Sequence, residues 1–221
     1  MTATTRAILL DSLGTLVELE PPWIHLREAL GDGVPADELE RAVRAEMRYY
    51  RAHSDEGRDP DSLADLRRRC AAVLSGELGI EVEPETLMAA IRLRAYRDAG
   101  PALEELRAAG LALHCVSNWD CSLPDVLERC GLASALDGVV TSAQARARKP
   151  DPAIFAAALG AAGCAPEEAI HVGDTPDEDL AGARAAGVPA LLIDRDGTSR
   201  AGASGGSRIA SLHEIKHYLH P

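Results

Sequence analysis

The hydrophobic pattern of this chain changes period partway along, and that change restricts how it can fold. Beyond Pro101, short apolar runs at residues 111–116, 137–141, 169–172 and 189–193 alternate with segments of helical spacing at 101–110, 122–130, 152–162 and 177–186. Strands separated by helices predict a parallel sheet covered on both faces. Between Trp23 and Gly100 the spacing is helical only. Trp23, Leu26 and Leu30 recur at helical intervals, then Leu39, Val43 and Met47, then Leu63, Leu66, Cys70, Val73 and Leu74, then Leu87, Ile91 and Tyr96. Breaks at 31–35, 54–60 and 79–84 divide this stretch into four helices and no strand, most economically a small antiparallel bundle. One further strand, 6–11, precedes the helices and must rejoin the sheet across them. The expected domain plan is a core of 1–17 and 99–221 interrupted by a helical cap of 18–98, with hinges at 16–22 and 98–101. Residues 196–207 are Gly/Ser-rich and expected to be mobile, and 211–219 form a short closing helix.

Ligands of parallel α/β sheets bind beyond the carboxyl ends of the strands. Four sets of reactive side chains fall there: Asp11 after Ala7-Ile8-Leu9-Leu10, then Ser117-Asn118, Lys149, and Asp174 with Asp179 beyond it. A carboxylate can attack phosphorus, a lysine and a divalent cation can offset the repulsion between two anions, and a hydroxyl with a neighbouring N–H can hold phosphoryl oxygens. Magnesium takes oxygen ligands, which Asp11 and Asp174 supply, with Asp179 in support. Lys149 is one of only two lysines, the other being Lys216.

These residues carry a resemblance. Asp11-Ser12-Leu13-Gly14-Thr15, Ser117-Asn118, Lys149 in RKPDPAIF, and Gly173-Asp174 with Asp179 in GDTPDEDLAGARAAG are similar, in order, to the four motifs of the haloacid dehalogenase superfamily, of the type whose helical cap follows the first motif. The resemblance implies a Rossmann-like parallel sheet with an inserted α-helical bundle, Asp11 as nucleophile, and Lys149 steadying it. It implies Thr15, Ser117 and Asn118 at the phosphoryl group. It also implies Mg²⁺ held by Asp11, the Leu13 carbonyl, Asp174 and Asp179, and a small phosphorylated metabolite as substrate.

Leu13 departs from the pattern. Phosphatases of that superfamily place a general acid/base Asp there, worth about 10² to 10⁴ in rate. Three readings stay open. The first is a hydrolase of phosphate esters with good leaving groups or another acid, His25 or Asp120. The second is a dehalogenase-type hydrolase, against which Gly173-Asp174 speaks. A phosphonate-cleaving branch would need a cap lysine, and residues 18–98 contain none. The third is an impaired member that binds a phosphorylated ligand or a protein. Arg44, Arg48, Tyr49, Tyr50, Arg51 and His53 are candidates for substrate selection, and Arg67-Arg68-Arg69 is expected to be solvated surface.

A net charge of −12 argues against nucleic acid and anionic membranes as partners. Five cysteines without a CxxC pair are expected to be reduced thiols of a cytoplasmic protein, with Cys121 a remote nucleophile candidate. No run approaches a membrane span.

Overall fold

The computed structural model describes residues 3–31, 33–197 and 207–219. A six-stranded parallel sheet forms the centre, built from β1 (Ala7–Leu10), β4 (Ala112–Ser117), β5 (Gly138–Thr141), β6 (Ala169–Gly173), β7 (Ala190–Ile193) and β8 (Ser207–Ile209) in the order β5-β4-β1-β6-β7-β8. β1 is central: Ala7 pairs with Ala112 on one side and Ala169 on the other. Both of its faces are buried, as expected of a four-residue apolar run in a parallel sheet. Ile8 and Leu10 join Leu113, Cys115, Val172 and Ile193 on one face. Ala7 and Leu9 join Val116, Ile154 and Phe155 on the other.

Four helices lie between β1 and β4: α1 (Pro22–Leu30), α2 (Ala36–His53), α3 (Pro60–Leu78) and α4 (Pro84–Ala90). Pro22, Pro60 and Pro84 each occupy a first-turn position, where the missing N–H is no loss. Asp59 and Ser62 cap α3 reciprocally. These helices bury their own apolar cluster, with Leu26, Leu39, Val43, Leu66, Leu74 and Leu87 at its centre. Around the sheet stand α5 (Ala99–Ala108), α6 (Leu123–Arg129), α7 (Ser142–Ala145), α8 (Pro152–Ala162) and α9 (Ala181–Ala185). Among the described residues no helix is long and apolar enough to cross a membrane.

The expected absence of strands from Trp23 to Gly100 is corrected. α4 stops at Ala90, so Ile91 and Tyr96 are not on its face, and β3 (Leu93–Ala95) pairs antiparallel with β2 (Val17–Leu19). The two chain passages into and out of the helices are thus zipped into a ribbon. Each strand is too short to show a period, and the partners are far apart in sequence. Ser207 begins β8 rather than ending a mobile run, Asp196 lies in a turn and Gly197 in a bend, and residues 198–206 of that expectation lie outside the described residues. The closing segment is a 3₁₀ helix, Leu212–Tyr218. The segment after β6 begins as a wider π-type turn, Pro176–Leu180, before α9.

Candidate active site

The carboxyl end of the sheet gathers the charged residues. Asp11 continues β1, its N–H donating to the Val172 carbonyl at 2.9 Å. Ser117 is the last residue of β4 and Gly173 the last of β6. Lys149 stands just before α8, whose first turn is capped by the Asp151 carboxylate. The π-type turn brings Asp179 back beneath the end of β6.

Lys149 Nζ donates to Asp11 Oδ1 at 2.5 Å and to Asp179 Oδ1 at 2.6 Å, with all three side chains at most 8% exposed. Asp179 Oδ1 also meets His171 Nε2 at 2.9 Å, and its Oδ2 accepts from the Thr175 N–H at 2.9 Å. His171 Nδ1 carries a hydrogen, because its partner at 3.0 Å is the Leu9 carbonyl, which only accepts. Ser117 Oγ donates to Asp11 Oδ1 at 3.0 Å, so Ser12 Oγ, 2.7 Å away, is left to donate to Ser117.

The electrostatics follow from this sharing. Burial raises Asp11 to about 7; Lys149 pulls it down, while Asp179 and Asp174 push it up. Burial also acts to raise Asp179, but Lys149 and His171 outweigh it and hold that carboxyl below its usual range. Burial would lower Lys149, yet its two carboxylates raise it above the usual lysine value. His171 is lowered by burial, with Asp179 opposing. Lys149 is shared by two carboxylates, His171 adds its support to Asp179 alone, and Asp11 is the one left raised by burial. Asp174, also raised by burial and by Asp179, adds a third negative group. One oxygen from each of Asp11, Asp174 and Asp179 falls within a 4.8 Å cluster. That donor set is all oxygen and fits a hard divalent cation.

Two glycines make the cluster sterically allowed. A Cβ on Gly14, whose φ is +86°, would lie 2.0 Å from Asp174 Oδ2. A Cβ on Gly173 would lie 2.1 Å from the Asp179 carboxyl carbon. The carboxylates occupy the space that other residues would need.

The sequence-level candidates divide. Asp11, Ser117, Lys149, Asp174 and Asp179 converge. Thr15 is fully buried beside them, and its hydroxyl has no hydrogen-bond partner. Asn118 is adjacent, but its side chain is committed: Oδ1 accepts from Lys149 N–H at 2.7 Å, and Nδ2 donates to the Lys149 carbonyl at 3.0 Å and to Glu178 Oε2 at 2.9 Å. It shapes the lysine loop. Leu13 bridges to Val17, and its side chain has no proton to give. Asp120 accepts from Ser122 N–H at 2.7 Å and from Tyr50 O–H at 2.8 Å, so both oxygens serve the fold. His25 meets Glu20 at 3.0 Å in α1, and no contact joins it to Asp11.

Of the α2 candidates, Tyr50 reaches Asp120 in the loop that follows Ser117. Tyr49 stacks on His53 at 4.1 Å and accepts from Arg69, Arg44 pairs with Glu40, and Arg48 and Arg51 are exposed. Arg68 is exposed as expected of a solvated surface, Arg67 and Arg69 are half-buried, and Arg68 and Arg69 both pair with Asp65. The cysteines are free, and burial raises Cys121 above the usual thiol value, which disfavours a thiolate. His171 and Arg195 were missed by sequence reasoning. A histidine inside the apolar run Ala169–Gly173 was the available signal for the first; nothing local marked the second.

The chain is thus an α/β protein whose parallel sheet ends in a buried carboxylate–lysine network. A model of the haloacid dehalogenase-like hydrolases matches residues 5–187, and the chain belongs to that family. It is 44% identical over 104 residues to a phosphoserine phosphatase of Thermus thermophilus, a match covering 45% of this chain and 41% of that protein. The chain spans about two-fifths of the length of the first curated relatives it matches. A solved HAD phosphatase from Thermococcus onnurineus is 26% identical with a TM-score of 0.70, covering 97% of each chain. A solved dehalogenase is 25% identical with a TM-score of 0.73, covering 99% of each.

Proposed function

We propose that this hydrolase removes the phosphoryl group from a small phosphorylated metabolite through an aspartyl-phosphate at Asp11, with Mg²⁺ as cofactor. The observation that carries the reading is a cluster of three carboxylates, two of which share one buried lysine. Asp11, the Leu13 carbonyl and Asp174 would hold the metal, with Asp179 behind them. A bound Mg²⁺ would offset charge on the phosphoryl oxygens. Ser117, Thr15 and the backbone at Asn118 are suited to those same oxygens. The names of the phosphatase relatives agree with this class of substrate.

The Asp11 carboxylate attacks phosphorus, and the bond to the leaving oxygen breaks with its electron pair. Lys149 and Ser117 hold Asp11 Oδ1 in place for that attack. Water then attacks the same phosphorus and releases the carboxylate. Leu13 supplies no proton to the leaving oxygen and takes none from the water, so stable anions leave best and the second step is the slower. Phosphoenzyme then accumulates, and an aryl phosphate gives a burst. The block 18–98 acts as a cap on the core 1–17 and 99–221, and selects the substrate.

A panel of phosphorylated compounds with and without chelator tests the reading. Turnover should need Mg²⁺, and calorimetry should show weakened Mg²⁺ binding in Asp174→Asn; unchanged affinity removes Asp174 from the metal set. A second reading, a dehalogenase-type hydrolase, has in its favour the solved dehalogenase that aligns along the whole chain, while Gly173-Asp174 speaks against it. Release of halide in chelator, with no phosphatase activity, would establish it instead.

A further inference from the structure

Arg195 follows β7 and touches no residue of the charged cluster, yet it bonds the loop that carries Asp11. Its Nη2 donates to the Thr15 carbonyl at 2.6 Å and its Nε to the Gly14 carbonyl at 3.3 Å. Its Nη1 donates to Asp98 Oδ1 at 2.9 Å. Its face lies on the Tyr96 ring, 3.7 Å from the centroid. The side chain is only 15% exposed. Gly14 and Thr15 belong to the loop that carries Asp11; Tyr96 and Asp98 belong to the chain leaving the helices.

Backbone accounting shows what this side chain completes. In the loop, the N–H groups of Thr15, Leu16 and Val17 all point at the Ser12 carbonyl, and Gly14 N–H donates to Val17. The Leu16 carbonyl accepts from Tyr96 N–H at 3.0 Å. The Gly14 and Thr15 carbonyls accept from Arg195. Asp98 is itself fixed by Ser211 Oγ and Leu212 N–H, both at 2.9 Å. Below the ribbon of β2 and β3, one guanidinium therefore ties the loop of the first passage to the exit of the second. A planar fork stacked on an aromatic ring does this in a way that a lysine cannot.

We propose that Arg195 is a positioning residue that clamps the nucleophile loop to the ribbon, so that Asp11 and the helices above it keep one register. The kinetic part rests on the phosphatase reading; the clamp itself does not. The variants are Arg195→Gln and Arg195→Lys, with Arg107→Gln as control, since Arg107 pairs with Asp137 at the opposite end of β4. Amide hydrogen exchange should quicken at residues 14–17 and 93–98 in both Arg195 variants and stay unchanged at 169–173. Turnover of p-nitrophenyl phosphate with Mg²⁺ should fall about 10- to 100-fold in kcat with KM within about threefold, the size of effect expected from misplacing a reacting group by an ångström or less. Lysine should rescue little of it, and Arg107→Gln should match wild type. Unchanged exchange, or exchange raised equally everywhere, overturns the clamp. Raised loop exchange with undiminished kcat overturns its role in placing Asp11. If wild type turns over no aryl phosphate, the phosphatase reading fails and exchange alone decides the clamp.

Discussion

Charged residues at the end of the sheet and charged residues on the helical block are of the same types but live under different physics. At the sheet, Asp11, Lys149 and Asp179 lie out of water and share donors, so each sets the ionisation of the others. On the helices, Arg44–Glu40, Arg68–Asp65 and Arg69–Glu56 are partly or largely exposed pairs along or between turns, where solvent screens them. Among the described residues the block has one buried acid, Glu46; its hydrogen-bonding neighbour is the Cys70 thiol, and burial pushes it up to about 7. Buried charge is informative only where partners have been arranged for it. The sheet end has such an arrangement, and the block does not.

The largest effect should come from the centre of the network. Asp11→Asn should cut turnover of aryl phosphates by about 10⁴ or more and abolish the burst; a variant retaining a tenth of wild-type rate would show that the network is structural. Leu13→Asp should raise turnover by about 10² to 10⁴ where the new carboxylate can reach the leaving oxygen. Rapid wild-type hydrolysis of alkyl phosphates, with no burst and no gain from this substitution, would mean that another group moves the proton.

Glu46 tests the opposite case. Its folded pKa is raised from 4.5 to about 7. The penalty it imposes is absent below about pH 4.5, grows as pH rises through that window, and is complete above about 7. Glu46→Gln should thus stabilise the protein at pH 8, by up to about 3 kcal/mol, and leave it unchanged at pH 4.5. Thermal melts giving the same gain at both values would refute a buried, unpaired ionisation. The smallest effect belongs to the surface. Arg44→Ala should move stability by less than about 0.5 kcal/mol through its pair with Glu40, and a loss of 2 kcal/mol in denaturant titration would end the contrast between the regions.

How much could be read from the residues follows the range of the interactions. β1 was legible because a buried parallel strand is an uninterrupted apolar run, and Asp11 because it closes that run. α1 to α4 were legible because a helix repeats its pattern over many residues and the breaks between them fall at glycine and proline. The ribbon was not, since Val17–Leu19 and Leu93–Ala95 acquire meaning only from each other. Asn118 was placed at the site by its motif, but that its amide serves the Lys149 backbone depends on a loop 31 residues away. Arg195 lies beyond any pattern, because two of its three hydrogen-bonding partners are carbonyls, and every residue has one.

The central place of β1 also has a consequence in time. Its neighbours are β4 and β6, so Leu10 waits for Cys115 and then for Val172 to be synthesised before it is flanked on both sides. At about 5–20 residues per second, a ribosome needs roughly ten seconds or more to supply the second partner. The helices, whose apolar cluster draws on residues 23–91 alone, can finish packing earlier. The strand that ends in Asp11 is therefore made first and completed late, with an exposed apolar edge in the interval, which makes it the segment of the nascent chain most in need of protection from aggregation.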